Sequence, residues 1–320
     1  MPINRISIAS SLASVRQNAI LLPFYKDGEP LTEAAYPRWG MSLRAAGSMR
    51  FRWNEQNPRR ERFLRKLCAD PLSACAALGS TADGTVCGVN AKHTVGELRP
   101  HSEKERTPVF TELIHSKIVH DVPNVVAAAR LQGATGDGVI TADRTLVPVV
   151  TVADCMPLYL YDERTGVFGA FHSGWKGTGI IGEGIALAEK NYGARREELC
   201  VAIGAHIQRC CYVVDEARAA FFAEAFTPQA VASLHEYNAE GKRLYALSLL
   251  EANLSVLRAA GVRSCNIVAA SDCTVCTQLL PHAYYPFGSF RRQAAFMPDS
   301  LSPNVRSRLM TVQAAFCGWL

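Results

Sequence analysis

The chain has 320 residues, 48% apolar and 20% charged, enough for a sizeable core and unlike a disordered or low-complexity polymer. Its formal charge of +5, from 34 basic and 29 acidic residues, is small and spread along the chain, which argues against a nucleic-acid partner but leaves room for a local anion site. No apolar run reaches the ~18 residues of a membrane helix, and the amino terminus lacks a basic-then-apolar leader. The expectation is therefore a soluble, cytoplasmic protein with no membrane partner.

In chain order, residues 1–35 are mixed and assigned to no element. Residues 54–66, NEQNPRRERFLRK, read as an exposed turn leading into a helix. Residues 88–108 are polar, contain two prolines and read as a long surface loop. The run VFTELIHSKIV, 109–119, reads as a strand, as do Gly138–Thr141 and Leu146–Val152. Residues 157–161, 162–166 and 167–171 read as strand, turn and strand. After glycines 174, 177, 179, 182 and 184, the segment IALAEKNYG reads as a helix stopped by Gly193. A short strand follows at Cys200–Ile203, then a helix over 215–226 capped by Asp215. A second helix over 247–260 ends at Gly261, and 265–270 is a buried strand. Strands and helices alternate without a clean βαβ rhythm. This predicts an α/β fold, a single domain over 1–320 with mixed β-sheets flanked by helices.

Three stretches carry chemistry: LIHSKIV with His115, TVADCMPLYLYD with Cys155 and GAFHSGWKGTG with His172. Cys155 and His172 sit where predicted strands meet loops, the usual seat of reactive groups, and a tight pair over 156–171 brings those ends together. Two imidazoles and a thiolate suit zinc and leave a fourth position open. Read alone, a cysteine among eleven is more often core, and a strand histidine is more often hydrogen-bonded structure. A metal-free hydrolase with Cys155 as nucleophile and His172 as base also fits the residues.

The stretches ADCMPLYLYD, VFGAFHSGWKGTG and CVAIGAHIQRCCYVVDEA, with the late GSFRR at 288–292, resemble the laccase-domain family, also called YfiH-like or multicopper polyphenol oxidase. The likeness spans roughly 105–295. It implies a YfiH-like layered sandwich and a zinc ion (Zn2+) held by His115, Cys155 and His172. The partners it implies are purine nucleosides and phosphate. The implied activities are phosphorolysis of adenosine, inosine, guanosine or methylthioadenosine, and deamination of adenosine. A copper-dependent phenol oxidase and an inactive binding protein are the other readings.

This sequence departs from the family pattern at Leu113 for Gln, Lys176 for Arg, Ala205 for Pro, and Pro286-Phe287-Gly288 before Ser289. Asp154 reads as a proton shuttle, or as a turn cap or a carboxylate that orients a histidine. Among the cations Lys176, Arg209, Arg291 and Arg292, Lys176 and Arg292 are preferred for phosphate because they lie in motif segments. Trp175 or Tyr212 could stack on a purine. His206 and His282 read as exposed. The pairs Cys210-Cys211 and Cys273/Cys276 are a weak signal for a second metal.

Overall fold

The computed structural model describes residues 2–76, 105–280 and 283–320. Most of the expected 88–108 loop lies outside them, as does His282. Among the described residues the central element is a seven-stranded mixed sheet. Its order is Asn4–Ile6, Ile267–Ala270, Cys200–Ile203, Met156–Tyr161, Phe168–Ser173, Gly138–Thr141 and Val119–Asp121. Met156–Tyr161 pairs antiparallel with Phe168–Ser173, so that Pro157 faces His172 across the ladder. Cys200–Ile203 and Ile267–Ala270 run parallel.

Each face of this sheet is covered, which explains why its strands read as unbroken apolar runs. On one face Met156, Leu158 and Leu160 pack against the helices Ile180–Tyr192 and Leu249–Ala259. On the other face Tyr159, Tyr161 and Phe168 meet Trp39, Met41, Val150 and Val152. These belong to a five-stranded sheet ordered Ala19–Pro23, Arg38–Ser42, Gln313–Gly318, Leu146–Val152 and Thr107–Val109. That sheet's outer face, with Ala19, Val147, Val149 and Phe316, is closed by Phe63, Leu64 and Leu67 of the helix Pro58–Ala69. The layers thus run helix, sheet, sheet, helix. Capping follows the chemistry of the sequence: Asn57, Asp215 and Ser248 each accept an amide of the first turn, and the left-handed Gly193 (φ 71°) ends its helix.

The expected strand over 109–119 is not one strand. The chain leaves Thr107–Val109, loops through 110–118 and re-enters the sheet at Val119–Asp121. The strands Ala19–Pro23, Arg38–Ser42 and Gln313–Gly318 had no sequence assignment; they pair over nearly the full length of the chain. His206, expected to be exposed, is fully buried. Its Nδ1 bonds the Gly204 carbonyl at 2.8 Å, and burial pushes its pKa down to about 4. No helix among the described residues is long and apolar enough to cross a membrane.

Gly40 marks the tightest crossing of the second sheet. A Cβ there would run into the Ile20 carbonyl and lie 2.8 Å from the Phe316 ring. Gly40→Ala is expected to destabilise the fold by about 1–3 kcal/mol through overpacking. An unchanged denaturant midpoint would show that the two sheets do not approach as closely as described.

Candidate metal centre

Asp137 stands one residue before the strand Gly138–Thr141 and is fully buried. A buried carboxylate must be hydrogen-bonded, and this one is, from two directions. The loop carrying His115 wraps around it: the amides of Ile114, His115 and Ser116 donate to its oxygens at 3.3, 3.0 and 2.7 Å, and the Ser116 hydroxyl donates at 2.7 Å. Successive amides can converge on one anion only if the backbone turns back on itself. His115 makes that turn with a φ of 60°. From the other side, His172 lies on Phe168–Ser173 and places its Nδ1 2.9 Å from Asp137 Oδ1. That bond leaves the opposite ring nitrogen, Nε2, for the cavity.

Cys155 comes from a second tight bend. Asp154 has a φ of 80°, and Cys155 immediately precedes Met156–Tyr161, the ladder partner of the His172 strand. The side-chain donors of His115, Cys155 and His172 all lie within 4.8 Å of one another, exposed, half-buried and buried respectively. The two imidazoles meet edge to face at 4.9 Å. Gly174 leaves the room: a Cβ there would lie 3.0 Å from His115, 3.1 Å from the Cys155 sulfur and 3.5 Å from His172.

The electrostatics favour deprotonated sulfur. Burial works to raise the Cys155 thiol, but His172 and His115 outweigh it and bring its pKa down to about 6. Burial works against the His172 imidazolium, yet Cys155 and Asp137 raise it to about 10. Burial likewise opposes ionised Asp137, while His172 and Ser116 hold it at about 2. Two nitrogens and a thiolate converging on one point, with the buried histidine steered by a carboxylate, fit a metal ion on donor chemistry alone.

Around this group lies a cavity of about 520 Å³, within the range of small-molecule sites. Phe51, Trp175, Tyr212 and Phe290 line it, with Arg50, Arg52, Arg218 and Arg291; Arg50 is paired with Glu55 at 3.2 Å and Arg52 with Glu112 at 3.1 Å. Two of those cations carry buried nitrogens, Arg50 Nη1 and Arg218 Nε, with no hydrogen-bond partner among the described residues. Leu113 is on the wall where the family pattern has a glutamine.

Asp154 lines the cavity, but both its oxygens are taken at 2.6 Å, by the Thr274 hydroxyl and the Arg291 amide. It ties two loops together, and the carboxylate that orients a histidine is Asp137. Lys176 is exposed beside Trp175 and is not on the cavity wall. Arg292 is also off the wall; its guanidinium binds the carbonyls of Thr274, Val275 and Phe287 and stacks on Tyr285. Arg209 reaches the Gln229 carbonyl. Sequence reasoning missed Asp137, Arg50, Arg52 and Arg218. Asp137 had a local signal, an acid between glycines 136 and 138 at the head of a strand, and Arg50 and Arg52 lie in MSLRAAGSMRFRWNEQNPRRERFL, a weaker echo of the same family.

Residues 88–296 match the family model described as multi-copper polyphenol oxidoreductase laccase. The chain is 34% identical over 182 residues to the purine nucleoside phosphorylase YlmD of Geobacillus stearothermophilus, covering 54% of this chain and 64% of that protein. It is 33% identical over 150 residues to adenosine deaminase RL5 of an unknown prokaryotic organism, covering 46% and 55%. The chain thus spans less than two-thirds of the length of either relative. Its fold is similar to the crystal structure of the Bacillus licheniformis hypothetical protein YfiH, with a TM-score of 0.62, 21% identity, and coverage of 88% of this chain and 92% of that one.

A thiolate that persists to about pH 6 is testable in metal-free protein. Alkylation of Cys155 by iodoacetamide should fall away as pH drops through about 6, not near the ~8.5 of an ordinary thiol. Asp137→Asn removes a partner that raises His172, so the imidazolium weakens and the Cys155 midpoint moves upward. The same substitution should weaken metal binding by about 10–100-fold, read by chelator competition. A midpoint unmoved by Asp137→Asn would mean that Asp137 does not control the pair.

Proposed function

This chain belongs to the multi-copper polyphenol oxidoreductase laccase family, and on that footing we propose that it is a zinc-dependent enzyme of purine nucleosides. Its reactions are phosphorolysis of adenosine, inosine, guanosine or methylthioadenosine, and hydrolytic deamination of adenosine. The observation that carries this reading is the joint placement of a His115, Cys155, His172 donor group and four arginines on one aromatic-lined cavity. The names of the phosphorylase and deaminase relatives support it.

His115, Cys155 and His172 would hold the zinc. In a three-ligand site with an open corner, the ion supplies Lewis-acid polarisation and activation of water near neutral pH. The chain's own groups do the rest. Tyr212, on the cavity wall, offers a ring to a purine, and Trp175 carries the Arg218 guanidinium over its ring at 4.4 Å, holding that cation at the wall. In phosphorolysis a phosphate oxygen forms a bond to the sugar C1′ while the bond to the purine nitrogen breaks. The purine leaves with the electron pair and is then protonated. Arg218 and Arg50, each with a buried donor lacking a partner among the described residues, hold the phosphate, and Arg291 adds positive charge to the wall. Asp154 positions Arg291 by holding its amide. Arg292 supports the wall from behind through the carbonyls of Thr274 and Val275.

The paired Cys155 thiolate and His172 imidazolium favour one second reading, a metal-free cysteine hydrolase. A third donor, His115, within 4.8 Å of both weighs against it, because a nucleophile–base pair does not need one. The family's copper-oxidase description asks for several coppers, whereas the cavity wall carries a single group of donors.

Incubation of zinc-loaded protein with adenosine should yield inosine without phosphate, and adenine or hypoxanthine only with it. Chelation should abolish both. Full activity in chelator would sink the zinc reading, and absence of any purine product would sink the nucleoside one. Arg218→Ala should raise the phosphate KM by roughly 10–100-fold, the worth of one charge-assisted hydrogen bond, while leaving deamination near its starting rate. Equal loss of both activities would remove Arg218 from the phosphate site.

A further inference from the structure

A second group of soft donors lies outside the His115, Cys155, His172 cluster. The sulfurs of Cys210, Cys211, Cys273 and Cys276 all lie within 4.8 Å of one another, with Cys210 and Cys276 3.6 Å apart. All four are free thiols. They are far apart in sequence, and the central sheet brings them together. Cys200–Ile203 and Ile267–Ala270 are parallel neighbours, so the chain leaves both strands at the same end of the sheet. The two exit loops stay side by side: His206 bridges Cys273, and the Thr274 amide donates to the His206 carbonyl at 3.1 Å. One loop contributes the Cys210-Cys211 pair and the other contributes the C-x-x-C of 273–276.

The local geometry is that of a loop built around sulfur. The Thr277 amide donates to the Cys273 carbonyl at 3.0 Å, and the Cys273 amide donates to the Thr277 hydroxyl at 2.9 Å, closing a tight turn. Buried Cys273 then receives the Gln208 amide across the gap at 3.4 Å.

We infer that Cys210, Cys211, Cys273 and Cys276 form a closed four-thiolate site for a structural zinc ion, separate from the cavity metal. Sulfurs at the corners of a tetrahedron with Zn–S bonds of about 2.3 Å stand about 3.8 Å apart; Cys210 and Cys276 are 3.6 Å apart and all four sulfurs lie within 4.8 Å, so small shifts close them on one ion. An iron–sulfur cluster places its own irons and sulfides between the cysteine sulfurs and spreads them wider than this. Four thiolates select a soft ion and leave no corner open, which makes the site structural. Each thiol releases its proton to solvent as it binds.

The ion would pin the cavity wall from outside. Thr274, inside the C-x-x-C, donates to Asp154, and the Ile207 amide donates to the Asp154 carbonyl at 2.9 Å. Tyr212, next to Cys211, faces the cavity.

The test uses the full chain carrying Cys155→Ala, purified under reductant, so that the cavity group contributes no sulfur. This protein is expected to hold one zinc per chain. When stripped and titrated with Co2+, it should develop tetrahedral d–d bands and an intense thiolate-to-cobalt charge-transfer band that added Zn2+ removes. Cys210→Ser and Cys276→Ser, at exposed positions, should each lower the charge-transfer intensity by about a quarter, one Co–S bond of four, and weaken zinc retention. Three results would overturn the inference: no charge-transfer band in the Cys155→Ala chain, a band unchanged by both serine substitutions, or iron–sulfur absorbance in the purified protein. A Cys210–Cys276 disulfide without zinc would do so too. Circular dichroism separates a lost ion from a lost fold, and the Cys155→Ala parent decides the question if a serine variant misfolds.

Discussion

The site depends on one buried carboxylate. Asp137 has no exposure to solvent and takes bonds from His172 Nδ1, three successive amides and the Ser116 hydroxyl. Without those bonds its charge would be too costly to bury. With them, one anion fixes both the His115 loop and the ring orientation of His172. The left-handed backbone at His115 is the geometric cost of wrapping that loop around the carboxylate. Glycines on either side make the approach feasible: a Cβ at 136 would collide with His120 and one at 138 with Phe171.

The same constraint explains what could and could not be read from the sequence. The central strands were legible because sheets buried on both faces require unbroken apolar runs such as MPLYLY, and their turns carry glycine. The segment around His115 has a strand's composition, but its amides serve Asp137 and cannot enter a ladder. Composition does not record such a competition. Asp137 itself, within a Gly-Asp-Gly triplet, reads as an ordinary turn residue. His115, Cys155 and His172 stood out because they lie in distinctive motifs, the last two where strands meet loops.

The cationic side of the cavity was harder to foresee. Lys176 and Arg292 attracted attention because they sit within motif segments, yet one faces solvent and the other binds backbone carbonyls. The arginines that face the cavity arrive from residues 50–52, from the helix Glu216–Ala225 and from position 291. Their convergence is a product of layer packing, in which the Arg38–Ser42 strand lies beside Gln313–Gly318 across almost the whole chain. No sequence window contains that information.

The donor residues at 115, 155 and 172 belong to a loop, a bend and a strand that meet only once the Met156–Tyr161 and Phe168–Ser173 hairpin has joined Gly138–Thr141. An unfolded chain therefore does not gather these three donors; Cys155 and His172, the pair nearest in sequence, come together only when the ladder sets Pro157 opposite His172. An ion held by these three side chains would join a loop, a bend and a strand that only the fold brings together, and would favour the native state by mass action.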